Sequence, residues 1–151
     1  YGGYYADSAF SVVVGTQNKE LDALLDVTER ALYEAIALAV PGNRVGDIGH
    51  HVQNLCEAHG YGVVRDFVGH GIGRQLHEDP AVPNFGKAGT GVVLKPGMCI
   101  AIEPMVTLGT WEAEILDDDW TVVTADRSIS AHFEHTVLIT QNEPEILTKL
   151  R

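Results

Sequence analysis

The sequence predicts a mixed α/β domain of the α+β kind: a strand-like opening run, two amphipathic helices, then a series of short strands joined by turns. Three observations lead there. Apolar residues recur at helical spacing over residues 18–40 and again over 45–58. From residue 61 onward the apolar runs are short and are broken by Gly, Pro and Asp. The length of 151 residues suits one domain spanning 1–151, and no repeat or linker divides it. A chain of this size buries about 70% of its unfolded surface.

The opening run, residues 1–15, begins on Gly2-Gly3, which predicts a hairpin turn with one of its strands absent. Tyr, Phe and Val follow, as strands favour. One face carries Tyr5, Asp7, Ala9, Ser11 and Val13; the other carries Tyr4, Ala6, Ser8, Phe10 and Val12. Asp7 is the acid in this run, and an edge or turn-flanking position would account for it.

Residues 18–40 predict the longest helix. Leu21, Leu24, Leu25, Thr28, Ala31, Leu32, Ala35, Ile36 and Ala39 form its apolar face, and Pro41-Gly42 stops it. Its charged residues lie mostly off that face and belong to solvent. Residues 45–58 predict a second helix, with Ile48, Val52, Leu55 and Cys56 as its stripe and Gly60 as its cap. His50 and His51 are adjacent, so they share no helix face, and solvent or packing roles suffice for them.

Residues 61–67 predict a short strand leading into the stretch 66–80, where His70 lies between Gly69 and Gly71 and His77 follows. Glycine permits sharp turns and close approach, so a turn that exposes the His70 ring to a cleft is expected. The stretch lacks the Lys-Ser/Thr of a phosphate loop and the full dinucleotide spacing. His77-Glu78 begins like a zinc-protease helix, but position 81 is Ala and Pro80 breaks any helix. Residues 80–91 predict a loop, and Lys95-Pro96-Gly97 a turn. The apolar run 98–104 then ends on Glu103, with Pro104 stopping its pairing.

Residues 111–116 and 120–124 predict strands of a meander. The turn Asp117-Asp118-Asp119 between them lacks the spacing of a calcium loop. In the strand predicted over 130–140, Phe133, His135, Val137 and Ile139 share one face, and His132, Glu134, Thr136 and Leu138 the other. Residues 143–150 predict a last short strand.

Composition narrows the function. A formal net charge of −11 argues against a nucleic-acid surface, which needs a basic patch. Cys56 and Cys99 give no disulfide framework, and as buried free thiols they fit a reducing, cytoplasmic setting. No apolar run reaches membrane-spanning length, and no signal peptide is expected from the opening residues, which read as a strand.

The chemistry lies in His70, Asp7, Glu103 and Glu134. Acids within strand-like apolar runs are costly to bury unless something offsets their charge. One imidazole with three carboxylates is a mixed nitrogen and oxygen set that suits Mn, Fe, Co or Zn. Carboxylates can also bridge two ions and position a hydroxide for attack on an amide. Spacing alone leaves open whether the four residues meet; a solvated strand rim would equally accommodate Glu103.

Several stretches together resemble the C-terminal part of type I methionine aminopeptidases. They are Gly3-Tyr-Tyr-Ala-Asp-Ser8, Gly69-His-Gly-Ile-Gly73 with His77-Glu-Asp-Pro80, Leu94-Lys-Pro-Gly-Met98 and Ile102-Glu-Pro-Met105. Asp119-Trp-Thr-Val122, Ser130-Ala131, Phe133-Glu-His-Thr-Val137 and Glu145-Ile-Leu-Thr148 complete the set. The last three favour these enzymes over the prolidases and creatinases that share the fold. The resemblance implies the pita-bread fold, an antiparallel-rich curved sheet with two covering helices, its N-terminal half-domain missing here. It implies Asp7, His70, Glu103 and Glu134 as metal ligands, with Asp7 and Glu134 bridging and Glu103 also the general base. By the same resemblance His77 contacts the substrate carbonyl, and Trp120 lines the methionine pocket with Leu76, where the family often has Phe. The implied substrate is a peptide or nascent-protein N-terminus, and the implied reaction is hydrolysis after an N-terminal Met. A non-catalytic module that holds such an N-terminus is the alternative.

The resemblance also marks departures. The family uses two divalent ions, and its other metal-binding Asp falls upstream of Tyr1. So does the half-domain with another catalytic histidine. A full ligand set for one ion is expected, with weak activity or none for this chain alone, and with a homodimer or a missing N-terminal half covering an exposed face. Val68 stands where many members have Cys, His132 where Gln is common, and Asp119 where Gly is usual in the turn.

Overall fold

In the computed structural model, which describes residues 1–16 and 18–149, the two helices fall where the periodicity puts them. Helix α1 (Lys19–Ala37) starts on Asn18, whose side-chain oxygen accepts the Glu20 and Leu21 N–H groups at 3.0 and 3.4 Å. Glu20 and Asp22 in its first turn complement the helix dipole. It closes at Ala37, earlier than the expected Val40, because Leu38 and Ala39 N–H groups fold back onto Ala35 and Ile36 carbonyls ahead of Pro41. Helix α2 (Val45–Ala58) is held at its start by Asp47, which accepts the Arg44 N–H at 2.7 Å. It ends on Gly60 at φ +82°, with Gly60 N–H on Glu57 and Tyr61 N–H on Cys56. Only a residue at ease in the left-handed region gives that paired closure.

The strands in order are β1 (Ser8–Ala9), β2 (Gly62–Val63), β3 (Gly69–Gly71), β4 (Glu78–Val82), β5 (Cys99–Ile102) and β6 (Met105–Thr107). They continue as β7 (Ala113–Ile115), β8 (Val122–Thr124), β9 (Ser130–His132), β10 (Glu134–Leu138) and β11 (Glu145–Ile146). Every described pairing is antiparallel. The main sheet runs β1-β10-β5-β3-β4, with β11 also on β10; a second is β2-β6-β9, and β7-β8 is a hairpin. Both helices pack on these sheets. Leu24, Leu32, Ile48, Val52, Ile100, Ile102, Val106, Val137 and Ile139 are fully or almost fully buried between the layers. Burying each such side chain contributes about 1.5–3 kcal/mol. No helix among the described residues is long and apolar enough to cross a membrane.

Several expected elements differ. The Gly-His-Gly segment is a central strand, not a turn. Its glycines have no positive φ; a Cβ on Gly69 would overlap the Ala101 carbonyl oxygen, and one on Gly71 the Asp79 carbonyl oxygen. Close packing of three strands, not chain reversal, requires glycine there. Pro80 lies inside β4 rather than opening a loop, at a register shift opposite His70 and Gly71 where no ladder N–H is needed. Within residues 61–67 the strand is confined to Gly62–Val63, with the Val64 N–H still bonded to the Met105 carbonyl. Pairing resumes past Pro104 in β6, but in the second sheet.

The predicted strand 130–140 is two strands in two sheets, broken at Phe133, opposite the break at Glu103 and Pro104. Two neighbouring strands thus cross between sheets side by side, and Glu103 and Glu134 sit at the crossing. The opening run keeps its two faces from Asp7 onward: Asp7, Ala9, Ser11 and Val13 are half-buried and Phe10, Val12 and Val14 exposed, whereas Tyr5, expected on the first face, is exposed. Only Ser8–Ala9 pairs through backbone, however, because the Ser11 hydroxyl replaces the ladder, accepting the His132 N–H and donating to the His132 carbonyl. The last strand is Glu145–Ile146, and Leu150, expected within it, lies outside the described residues.

Candidate metal centre

Four elements of the main sheet bring the expected ligands together. Asp7 lies just before β1, His70 in the middle of β3, Glu103 just after β5 and Glu134 at the start of β10. Ligand atoms of Asp7, His70 and Glu134 all lie within 4.8 Å of one another. Those of Glu103, His132 and Glu134 form a second such group. His70 Nε2 is 3.5 Å from Glu103 Oε1, and His132 Nε2 is 3.6 Å from Glu103 Oε2.

Three of the four expected ligands are held by a neighbour. Thr136 Oγ1 accepts the Asp7 N–H and donates to the Asp7 carbonyl, both at 2.8 Å, fixing residues 129 positions apart. His70 Nδ1 lies 2.9 Å from the Gly71 carbonyl, which assigns the ring proton to Nδ1 and leaves the Nε2 lone pair toward the carboxylates. Asn84 donates to the Glu103 carbonyl at 2.9 Å. Such outer contacts orient metal ligands and tune their affinity.

The electrostatics call for a cation. Glu134 is 4% exposed, and its Oε1 has no hydrogen-bond partner among the described residues. Burial first, then the charges of Glu103 and Asp7, push its carboxyl up to about 8. A divalent ion would offset both penalties, since its positive charge pairs with the buried carboxylates. Three carboxylates with imidazole nitrogen fit Mn, Fe, Co or Zn rather than a thiolate-seeking ion; Cys56 and Cys99 lie outside both ligand groups.

The remaining candidates are less gathered. The His77 ring stacks edge-on to His70 with centroids 4.3 Å apart, its residue exposed beside the cluster. Leu76 is 38% exposed. Trp120 is 86% exposed near the β7–β8 turn, where Asp118 accepts its main-chain N–H. Asp119 takes φ 56°, so an Asp fills the left-handed position without opening the turn. His132 was not expected as a ligand. The alternation that puts it on the same face as Glu134 was the available signal.

Thr136→Val is expected to cost about 1–3 kcal/mol, since both main-chain groups of Asp7 lose their buried partner. It should also weaken divalent-ion binding by about 10–100-fold, the usual effect of losing a ligand's support. Urea unfolding and calorimetric titration measure the two effects separately.

Residues 1–141 match the model of metallopeptidase family M24. The chain is 55% identical over 150 residues to a methionine aminopeptidase of Mycoplasma capricolum, covering 99% of this chain and 60% of that protein. It is similar to the crystal structure of a methionine aminopeptidase from Thermotoga maritima, with a TM-score of 0.96 and 51% identity over 99% of this chain and 60% of that one. A prolidase from Pyrococcus horikoshii superposes with a TM-score of 0.77 at 27% identity, over 38% of its length. The shared architecture is the pita-bread fold, and the chain spans about 60% of the length of the methionine aminopeptidases it matches.

Proposed function

The chain belongs to metallopeptidase family M24, and from that premise we propose that it forms the metal-holding part of an enzyme that hydrolyses the peptide bond after an N-terminal methionine. The observation that carries this reading is the convergence of Asp7, His70, Glu103 and Glu134 from four separate stretches. These side chains would hold a divalent ion, Co, Mn, Fe or Zn, in a full set for one position. Bound there, the ion supplies positive charge that acidifies a water and polarises a peptide carbonyl.

The chain's own residues do the rest. Glu103, half-surrounded by His70 and His132, accepts the proton of the attacking water and returns it to the leaving amine. His77, beside His70 and open to solvent, donates toward the carbonyl oxygen as negative charge builds on it. Trp120 and Leu76 contact the methionine side chain. Their exposure supports a cleft completed by further walls.

Release of Met from a Met-Ala peptide, with added Mn or Co, tests this. Slow release that stops on chelation is expected, and His77→Ala should lower it by about 100-fold while leaving the bound-metal count unchanged. A metal-loaded chain that binds the peptide and never cleaves it would favour the alternative, a module that only holds a peptide N-terminus. The openness around Trp120 is the observation on that side.

A further inference from the structure

Asn84 lies on the loop after β4, 1% exposed, where stability alone does not explain an amide. Its Nδ2 donates to the Glu103 main-chain carbonyl at 2.9 Å, while its Oδ1 is buried with no hydrogen-bond partner among the described residues. An orphaned buried oxygen costs free energy, and an apolar side chain of the same shape avoids that cost. What Asn84 supplies is its donor. Glu103 is where the chain leaves β5: Pro104 follows with no N–H, and Met105 already pairs in the second sheet. Asn84 therefore holds the main chain at the point where strand pairing lapses. From that point the Glu103 side chain reaches between His70 and His132.

The loop that carries Asn84 is itself fixed by α2. Gly49 packs against it so closely that a Cβ there would overlap the Pro83 and Phe85 carbonyl oxygens. Gln53 Oε1 accepts the Gly86 N–H at 3.0 Å, and His50 Nδ1 lies 3.1 Å from the Gly86 carbonyl. On the other side Val82 pairs with Gly69. We infer that Asn84 is a positioning residue for proton transfer: α2 sets its place, and its amide sets the main chain from which Glu103 meets the attacking water. Asp7, His70 and Glu134 converge without Glu103, so an ion keeps those three ligands when the Asn84 amide is lost. The loss falls on the rate, where displacement of a reacting group by about 1 Å costs about 100-fold.

The inference rests on the reading of Glu103 as general base, and the experiment separates the two. Asn84→Leu keeps the shape and removes the donor. In Met release from a Met-Ala peptide with added Mn, kcat is expected to fall by about 10–100-fold with KM within about 2-fold. Calorimetric titration should give an unchanged ion count and affinity. In metal-free protein the Phe133 N–H, which donates to the Pro104 carbonyl, should exchange with deuterium at least about 10-fold faster, the amides of α1 staying as they were. If Asn84→Leu misfolds, the double variant His50→Ala, Gln53→Ala takes its place; it frees the loop only at Gly86 and should lower kcat by at least about 3-fold. Unchanged kcat in a folded variant overturns the inference. So does a fall in kcat matched by a fall in ion affinity, which makes Asn84 a support of the ion and not of the base. If the wild type releases no Met, the peptidase reading fails, and exchange at Phe133 decides the inference alone, an unchanged rate overturning it.

Discussion

Glu134→Gln is expected to weaken divalent-ion binding by at least about 100-fold, more than any other single side-chain change. Glu134 stands in both groups of converging ligand atoms, so its loss affects both. The same substitution should stabilise the metal-free protein at neutral and higher pH. Burial and two neighbouring acids raise the Glu134 carboxyl to about 8, against 4.5 ordinarily. Between those values the folded state keeps a proton that the unfolded state has released. This group's contribution is therefore fully present below about pH 4.5 and is lost as pH rises toward about 8, at up to about 1.4 kcal/mol per pH unit. Gln carries no charge to desolvate, so the variant's slope flattens across that window. Urea unfolding of chelated protein from pH 5 to 9 reads the slope, and calorimetric titration at pH 7.5 reads the affinity. A wild type whose metal-free stability rises over that range, or a variant that binds ions normally, would contradict the account.

Gly71→Ala should carry the second large effect, a loss of about 3 kcal/mol or more in stability. Gly71 is wedged between β4 and β5, paired with Glu78 and Ile100. A Cβ there would overlap the Asp79 carbonyl oxygen and sit 2.7 Å from its carbon, and these are main-chain atoms with no rotamer to yield. The adjacent His70 takes its Nδ1 partner from the Gly71 carbonyl, so strand displacement reaches the ligand cluster directly. The variant should melt lower and bind metal less tightly together. Gly60→Ala, at the exposed end of α2 with open space around its Cβ, is the control: it strains only a left-handed cap and should leave metal affinity unchanged. A Gly71→Ala protein as stable as the wild type would mean that β3 and β4 are not packed this closely.

The helices were legible because their signals are local. Asn18, the 3.6-residue apolar repeat and Gly60 all act within a few residues of where they are read. Glu103 and Glu134 stood out as acids in apolar runs, a conflict that buried electrostatics explains. What stayed hidden depends on partners far away in sequence. Gly69 and Gly71 carry the composition of a turn, and only the presence of β4 and β5 beside them makes them a strand. Ser11 completes a ladder with His132 through its side chain, which no strand pattern encodes. The strand switch at Phe133 escaped notice because apolar alternation continues through it while the pairing partner changes sheet. Asp7 could not be tied to Thr136 by spacing, since the clamp between them spans nearly the whole chain.

Anomalous X-ray diffraction from crystals grown with Mn or Zn, collected at the metal's absorption edge, is the most direct trial of the metal centre. The account predicts a peak between β1, β3, β5 and β10, at about 2.0–2.2 Å from oxygen of Asp7 and Glu134 and from His70 Nε2. A peak only at surface carboxylates, or refined positions that scatter Asp7, His70, Glu103 and Glu134 away from one another, would contradict it.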